Sequence, residues 1–301
     1  MGFHLRKRES VQAAVRRIAT EEILGAIHDI RTREPNLHEA VHDFRRRCKK
    51  MRGLLRLIRP HLADNFQLEN GMYRDLSRQL SHVRDVQALI EALDRLTVHF
   101  AAELDASQLS HVRHRLVEAR DNAGGGEANL INHLEAIVIP LEEALLRVPA
   151  WEIPEREFDA FVDGLCKTYG RGRKAMAAAY NEPSTENFHE WRKRVKYHWH
   201  HTLLLRKLSP VFLRPHRDLA DHLGELLGQD HDYAVLADRL TEMDGDDEYQ
   251  RQRDRVSEFI ERRQRELRTE MHFVGQYLHA EKPRALAERW RAYWRAWRSG
   301  S

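Results

Sequence analysis

The stretch "VHDFRRRCKKMRGLLRLIRP" (residues 41–60) sets eight Lys or Arg against a single Asp. Placed on a helix of about 3.6 residues per turn, it separates into two faces. Phe44, Cys48, Met51, Leu54, Leu55 and Ile58 form an apolar stripe, while His42, Arg45, Lys49, Arg52, Arg56 and Arg59 form a row on another side. The pattern predicts an amphipathic helix whose core face anchors it and whose charges stand in fixed register. Like charges one turn apart oppose each other, and here they continue over several turns. One such row is more often a solvated face or a partner for acidic neighbours; its recurrence in a second helix would favour a polyanionic ligand.

The same problem recurs in "FHEWRKRVKYHWHHTLLLRK" (188–207), with six basic residues and one acid. A shift of 147 residues aligns the two stretches without a gap: His42 falls on His189, Asp43 on Glu190, Phe44 on Trp191, Arg45 on Arg192, Arg46 on Lys193, Arg47 on Arg194 and Lys49 on Lys196. In this copy His189, Arg192, Lys193, Lys196, His200 and Lys207 share a stripe, opposite Trp191, Val195, His198 and Leu205. The register extends upstream, with Val11 on Phe158, Val15 on Val162 and Ile18 on Leu165, and downstream, with Asp85 on Asp232 and Leu89 on Leu236. A repeat of this length is too long for a solenoid unit, and it predicts a duplicated helical domain. The two stretches carry +7 and +5 in a chain of formal charge +3, so the remainder carries −9. The basicity is local.

The rest of the chain fits an all-α protein. Of 301 residues, 32% are charged and 42% hydrophobic, with only 15 Gly and 9 Pro, and no segment alternates as a strand would. Breakers and caps predict six helices in the first half, at about 9–32, 37–59, 64–80, 82–105, 107–121 and 127–147. Six more follow at about 155–181, 185–208, 211–228, 230–243, 246–280 and 283–298. "DNAGGGEAN" (121–129) reads as a loop, and the prolines of "RVPAWEIPE" (147–155) mark the boundary between a first repeat, 1–148, and a second, 149–301. Such halves suit helical bundles whose core helices run up and down. Cys48 and Cys166 fall within helical apolar patterns, which suits buried thiols in a reducing cytoplasm. The first residues, MGFHLRKRES, lack the apolar core of a signal peptide, and no apolar run approaches the length of a membrane span.

"VHDFRRRCKKMR" and "FHEWRKRVK", one in each half, resemble the motifs of the conserved histidine α-helical domain, or CHAD, family. The resemblance extends over "LSHVRDVQAL" (80–89) and "TYGRGRKAMAAAYNEPSTENFHEWRKRVKYHW" (168–199). It implies two pseudo-symmetric four-helix bundles, here with extra helices, facing each other across a basic cleft or pore that binds inorganic polyphosphate. The family's histidine corresponds to His42 and His189, and its following arginine to Arg45 and Arg192. Further phosphate contacts are implied for Lys49, Lys50 and Arg52 in the first copy and for Lys193 and Lys196 in the second, and Arg46 and Arg56 on the same basic helix join the candidate site. The chain departs from the pattern at Trp199, which stands where the first copy has Arg52, so Arg206 and Lys207 are candidate substitutes. Lys167, Arg171 and Lys174 share one helix face and join the candidate site, whereas the first copy has Thr20, Leu24 and Ile27 there. The site is therefore expected to be asymmetric.

The residue chemistry suits that ligand. Arginine forks bind phosphate oxygens in pairs, lysines act as mobile point charges, and a protonated histidine adds charge and direction. Glu39, Asp75, Asp85, Glu186, Asp218, Glu225 and Asp232 are acids that could orient these cations. A phosphate would raise the pKa of His42 and His189 while Arg45 and Arg192 lower it, so binding is expected to strengthen as pH falls toward about 6. Nucleic-acid binding needs similar contacts, but the overall charge is balanced and no nucleic-acid-binding motif is present. Trp290, Trp294 and Trp297, at i, i+4 and i+7, read as helix packing rather than a base-stacking platform. A metal-dependent phosphohydrolase is the other alternative, invited by nineteen histidines, the pairs His42–Asp43 and His231–Asp232, and "HWHH" at 198–201. Adjacent helical residues project about 100° apart, so an HD pair needs further converging ligands. His198 and Thr202 read as core-facing, with His200 and His201 diverging. The chain also lacks the ExExK strand motif of the triphosphate-tunnel enzymes that often accompany CHAD domains. The expectation is thus a binding module with no catalytic residue, metal or cofactor, in the cytoplasm and alongside polyphosphate granules or polyphosphate-metabolising enzymes.

Overall fold

Short polar residues open the helices. The side chain of Ser10 accepts from the Ala13 N–H to start α1 (Val11–Thr32), and Asn36 accepts from Glu39 to start α2 (Leu37–Leu57). After a 3-10 turn at Arg59–His61 come α3 (Asn65–Gln79), α4 (His82–His99), α5 (Ser110–Ala123) and α6 (Gly126–Arg147). The second half holds α7 (Asp159–Asn181), α8 (Thr185–Leu205), α9 (Pro210–Glu242), α10 (Asp247–Leu278) and α11 (Pro283–Ser299). Ser184 caps α8 through the Asn187 N–H, and Asp246 caps α10 through that of Tyr249. This computed structural model describes residues 2–33, 36–63, 65–80, 82–123, 126–154 and 157–300, apart from the side chains at 38, 82–85, 106, 122–123 and 126–129. Among the described residues it is all-α, with no strand.

Several local expectations change, among them the helix expected at 82–105, where α4 ends at His99 and a 3-10 turn, Ala106–Leu109, precedes α5. The two helices expected at 211–228 and 230–243 form one, α9 (Pro210–Glu242), which runs through Gly228. An internal glycine costs only about 1 kcal/mol against alanine. Leu226, Leu227, Tyr233 and Leu236 are buried on either side of Gly228 and hold the helix together. The loop expected at 121–129 is also shorter, since α5 continues to Ala123 and α6 starts at Gly126; residues 124–125 lie outside the described residues. So does the side chain of Asp85, one of the acids expected to orient the basic rows.

Two buried clusters form the interior. One joins α1, α2, α3, α6, α7 and α11; the other joins α4, α5, α9 and α10 with Phe188, Trp191 and Val195 of α8. Leu204 and Leu205 at the far end of α8 belong to the first cluster, so α8 bridges the two. The clusters cross the sequence halves: α4 and α5 bury their apolar faces with α9 and α10, while α7 and α11 do so with α1 and α2. Phe44, Cys48, Met51, Leu54, Leu55 and Ile58 are all buried, as their spacing on α2 demands. Trp290 and Trp294 are buried as well; Trp294 lies 6.0 Å from Phe158 and 6.5 Å from Phe161 between ring centres. No described helix is long and apolar enough to cross a membrane.

Candidate anion-binding site

The two basic helices, α2 and α8, touch directly. A Cβ on Gly53 would stand 2.7 Å from Cβ of His200, so the close approach requires glycine there. His201 Nε2 donates to the Gly53 carbonyl at 3.0 Å across the same contact. Positions 53 and 200 are mates under the 147-residue shift, and contact between mates is what a two-fold through the crossing point would produce. The basic rows of both halves consequently meet near one place.

Their immediate partners differ. On the α1 side, Arg47 bonds Asp29 at 2.6 Å and Glu22 at 3.1 Å, and Lys50 bonds buried Glu22 at 3.0 Å while lying 5.6 Å from the Phe3 ring centre. Arg46 pairs with Asp43 at 3.1 Å, Lys193 with Glu190 at 2.6 Å and Lys196 with Asp221 at 3.4 Å, and Arg194 also reaches Glu190. Arg45 donates weakly to the Leu80 carbonyl at 3.5 Å. Arg206 donates to the carbonyls of Phe3 and Leu203, each at 2.6 Å, tying the N-terminal segment to the end of α8. Lys207 and Lys174 are exposed. Among the acids expected to orient the rows, Asp75 instead pairs with Arg74 and Asp218 with Arg217. Asp232 takes Arg95 at 3.0 Å and opposes the loss of charge on largely buried Arg192.

The histidines fall into three settings. His42 is exposed near the start of α2, its Nδ1 3.5 Å from Asp43, and the ligand atoms of Glu39, His42 and Asp43 lie within 4.8 Å of one another. His189 is half-buried, its ring centre 4.3 Å from that of His231. Burial first, then His231, Lys193 and Arg192, pushes His189 down to about 4. The "HWHH" run is interior: His198, His200 and His201 are all buried. The divergence of His200 and His201 does not bring either to solvent, because α8 has α2, α7 and α9 packed around it. His198 and His216 share a hydrogen bond at 2.8 Å between their Nε2 atoms.

The densest positive charge lies one turn beyond the crossing, where α2 ends against α7. Gly164 lets α7 in: a Cβ there would be 2.0 Å from the Leu57 carbonyl oxygen. Lys167 and Arg171 follow on α7, beside Arg59 of the 3-10 turn. Arg56 packs 3.7 Å from the ring centre of buried Tyr197 on α8 and donates to Asn70 of α3 at 2.6 Å. Arg52 also reaches Asn70, at 3.4 Å, and Arg59 lies 4.4 Å from the Phe66 ring centre. Arg56 is pushed down to about 10 by burial first, with Arg52, Arg194 and Arg59 adding repulsion. Lys167 is lowered chiefly by Arg59, and Arg171 by burial and then by Arg194 and Arg59, with Glu190 opposing. Among the described residues Arg52, Arg56, Arg59, Lys167 and Arg171 form no ion pair with a carboxylate. The sequence reading named four of these five but left Arg59, Arg194, Asn70 and Tyr197 out of the site. Only the convergence of α2, α3, α7 and α8 joins them.

The family model described as CHAD domain matches residues 10–241, from the cap of α1 to the end of α9. No curated protein matches the sequence.

Proposed function

The chain belongs to the CHAD family, and from that premise we propose that it binds inorganic polyphosphate, without turning it over, where the basic rows of α2 and α8 meet. The contact of Gly53 with His200 carries this reading, because it brings together α2 and α8, the helices that bear the two basic rows. Lys167, Arg171 and Lys174 extend the positive surface along α7. A phosphate chain offers regularly spaced charge without base edges or apolar portions, matching rows of Arg and Lys better than a compact metabolite would. The cations already paired with Asp43, Glu190 and Asp221 hold their positions and can exchange partial neutralisation for phosphate. The reading also places the protein in the cytoplasm, with polyphosphate granules or polyphosphate-metabolising enzymes as its setting.

The test is a calorimetric titration over phosphates of defined length, with orthophosphate release monitored. Long chains are expected to bind tightly and orthophosphate weakly, since only a long anion engages several sites together. Equal affinity per molecule for pyrophosphate and a long chain overturns the reading. Competing DNA of equal phosphate content is expected to displace polyphosphate poorly. A second reading, metal-assisted phosphohydrolysis, draws on the convergence of Glu39 with His42 and Asp43. Chelator-sensitive release of orthophosphate would favour it over simple binding.

A further inference from the structure

We propose that the cluster around Arg56, Arg59, Arg171 and Arg194 is a pocket for the terminal phosphate of a linear polyphosphate, fixing which end of the molecule receives the chain end. The inference rests on the polyphosphate reading above and adds polarity to it. Guanidinium groups of Arg56, Arg59, Arg171 and Arg194, from α2, its following turn, α7 and α8, lie near one another, and among the described residues the carboxylate that acts on Arg171, Glu190, is already shared between Lys193 and Arg194. Arg56 Nη1 donates to Asn70 at 2.6 Å and to the Arg52 carbonyl at 3.0 Å, and its guanidinium lies 3.7 Å from the Tyr197 ring centre, so the side chain is fixed before any ligand arrives. The mutual repulsion of these groups lowers Arg56 and Arg171, and Lys167 beside them. An anion would relieve it.

An interior phosphate carries one negative charge and two unshared oxygens. A terminal phosphate carries up to two charges near neutral pH and three such oxygens, as a phosphomonoester does. A convergent cluster of forks matches the second group, whereas a row matches the first. The duplicated sequence supplies a further argument. Register mates of Arg52, Arg56, Lys167 and Arg171 are Trp199, Leu203, Thr20 and Leu24, so the end of α8 and α1 do not repeat the cluster. The mate of Arg59 is Arg206, which is committed to the carbonyls of Phe3 and Leu203, and the mate of Arg194 is Arg47, which is paired with Asp29 and Glu22. A subsite for interior phosphates would serve equally in both halves; this one occurs once.

The experiment compares, by titration calorimetry on the full chain, long polyphosphate with free ends and the same material with both ends blocked as phosphoramidates. Linear tripolyphosphate and cyclic trimetaphosphate, which has no terminal group, form a second pair. Free ends are expected to bind about tenfold more tightly than blocked ends, the loss of one charge-assisted, forked contact. Arg59→Gln with Arg171→Gln should weaken free-ended chains about tenfold more than blocked ones, so that the preference is lost. Lys193→Gln with Lys196→Gln should weaken free and blocked chains alike and keep the preference. Circular dichroism checks that each variant is folded, and Arg56→Lys, which keeps the charge and loses the fork, should reduce the preference in part. Equal binding of free and blocked chains by the unaltered protein overturns the terminal pocket and leaves the polyphosphate reading standing. Absence of binding by every long chain overturns both.

Discussion

His189 sits against His231 with Arg192 and Lys193 nearby, and its imidazole is held at about 4. A neighbouring phosphate would raise that value. Binding strengthened by proton uptake is fully present below the free-state pKa and is lost as pH rises through the bound-state pKa. Because the starting value is so low, the gain for this residue belongs below about pH 6, not across the neutral range that its sequence motif suggested. His189→Gln is therefore expected to leave the pH dependence of polyphosphate affinity between about pH 6 and 8 unchanged and to flatten it between about 5 and 6. Affinities measured at constant ionic strength check this; a variant that loses its slope near pH 7 would place the imidazole in a more polar setting than the structure gives it. The motif identified the histidine. Its proton affinity depends on burial and on His231, which is 42 residues away in sequence.

Along α2, identical chemistry serves two purposes. Arg47 and Lys50 turn to α1, where buried Glu22 and Asp29 neutralise them, while Arg52 and Arg56 turn to α3 and α8, where Asn70 and Tyr197 offer no charge. The helix is thus fastened by one basic edge and presents the other. Glu22→Gln would leave Lys50 against a buried neutral amide while Arg47 keeps Asp29, and removing one partner of a largely buried pair is strongly destabilising. Arg47 and Lys50 retain some contact with water, so a loss of about 2 kcal/mol is expected in denaturant unfolding, below the fully buried range. Polyphosphate affinity of the folded variant should be unchanged or slightly higher. A variant as stable as the parent would show that the α1 contact contributes little. Helical period and caps make α2 and α8 legible from sequence to within a turn, whereas the two helices expected at 211–228 and 230–243 form one, α9, with leucines buried on either side of Gly228.

Over the whole molecule, buried histidines set a limit on acid stability. His201 and His279 are held at about 3 and His216 at about 4, in each case mainly by burial, and His198 and His200 lie well below the ordinary value for the same reason. These folded-state values are depressed, so the stability gained by keeping the rings neutral is fully present above the unfolded pKa of about 6.5 and falls as pH drops below it. At about pH 5, each strongly buried ring opposes folding by about 2 kcal/mol relative to neutral pH. Several such rings together approach the total stability of about 5–15 kcal/mol that domains possess. Cooperative unfolding is expected between about pH 5 and 4, followed by circular dichroism and thermal melts across the range. A melting temperature constant from pH 7 down to about 5 would contradict neutral burial of these rings.

The sequence by itself determined the helical class, the repeated basic helices, the apolar stripe of α2 and the family resemblance. All of these rest on periodicity, caps and motif spacing, which are interactions within a few residues of chain. Tertiary structure decided which cations are fastened and which converge. Arg47 and Arg56 cannot be told apart by residue type, and their roles follow from Glu22 on one side and Tyr197 on the other. It also decided that Gly53 and Gly164 admit neighbouring helices, gathering Arg56, Arg59, Arg171 and Arg194 from distant parts of the chain. Charge is a property each residue carries alone; an electrostatic site is made only by the distances between them, and those distances are set by how the helices pack.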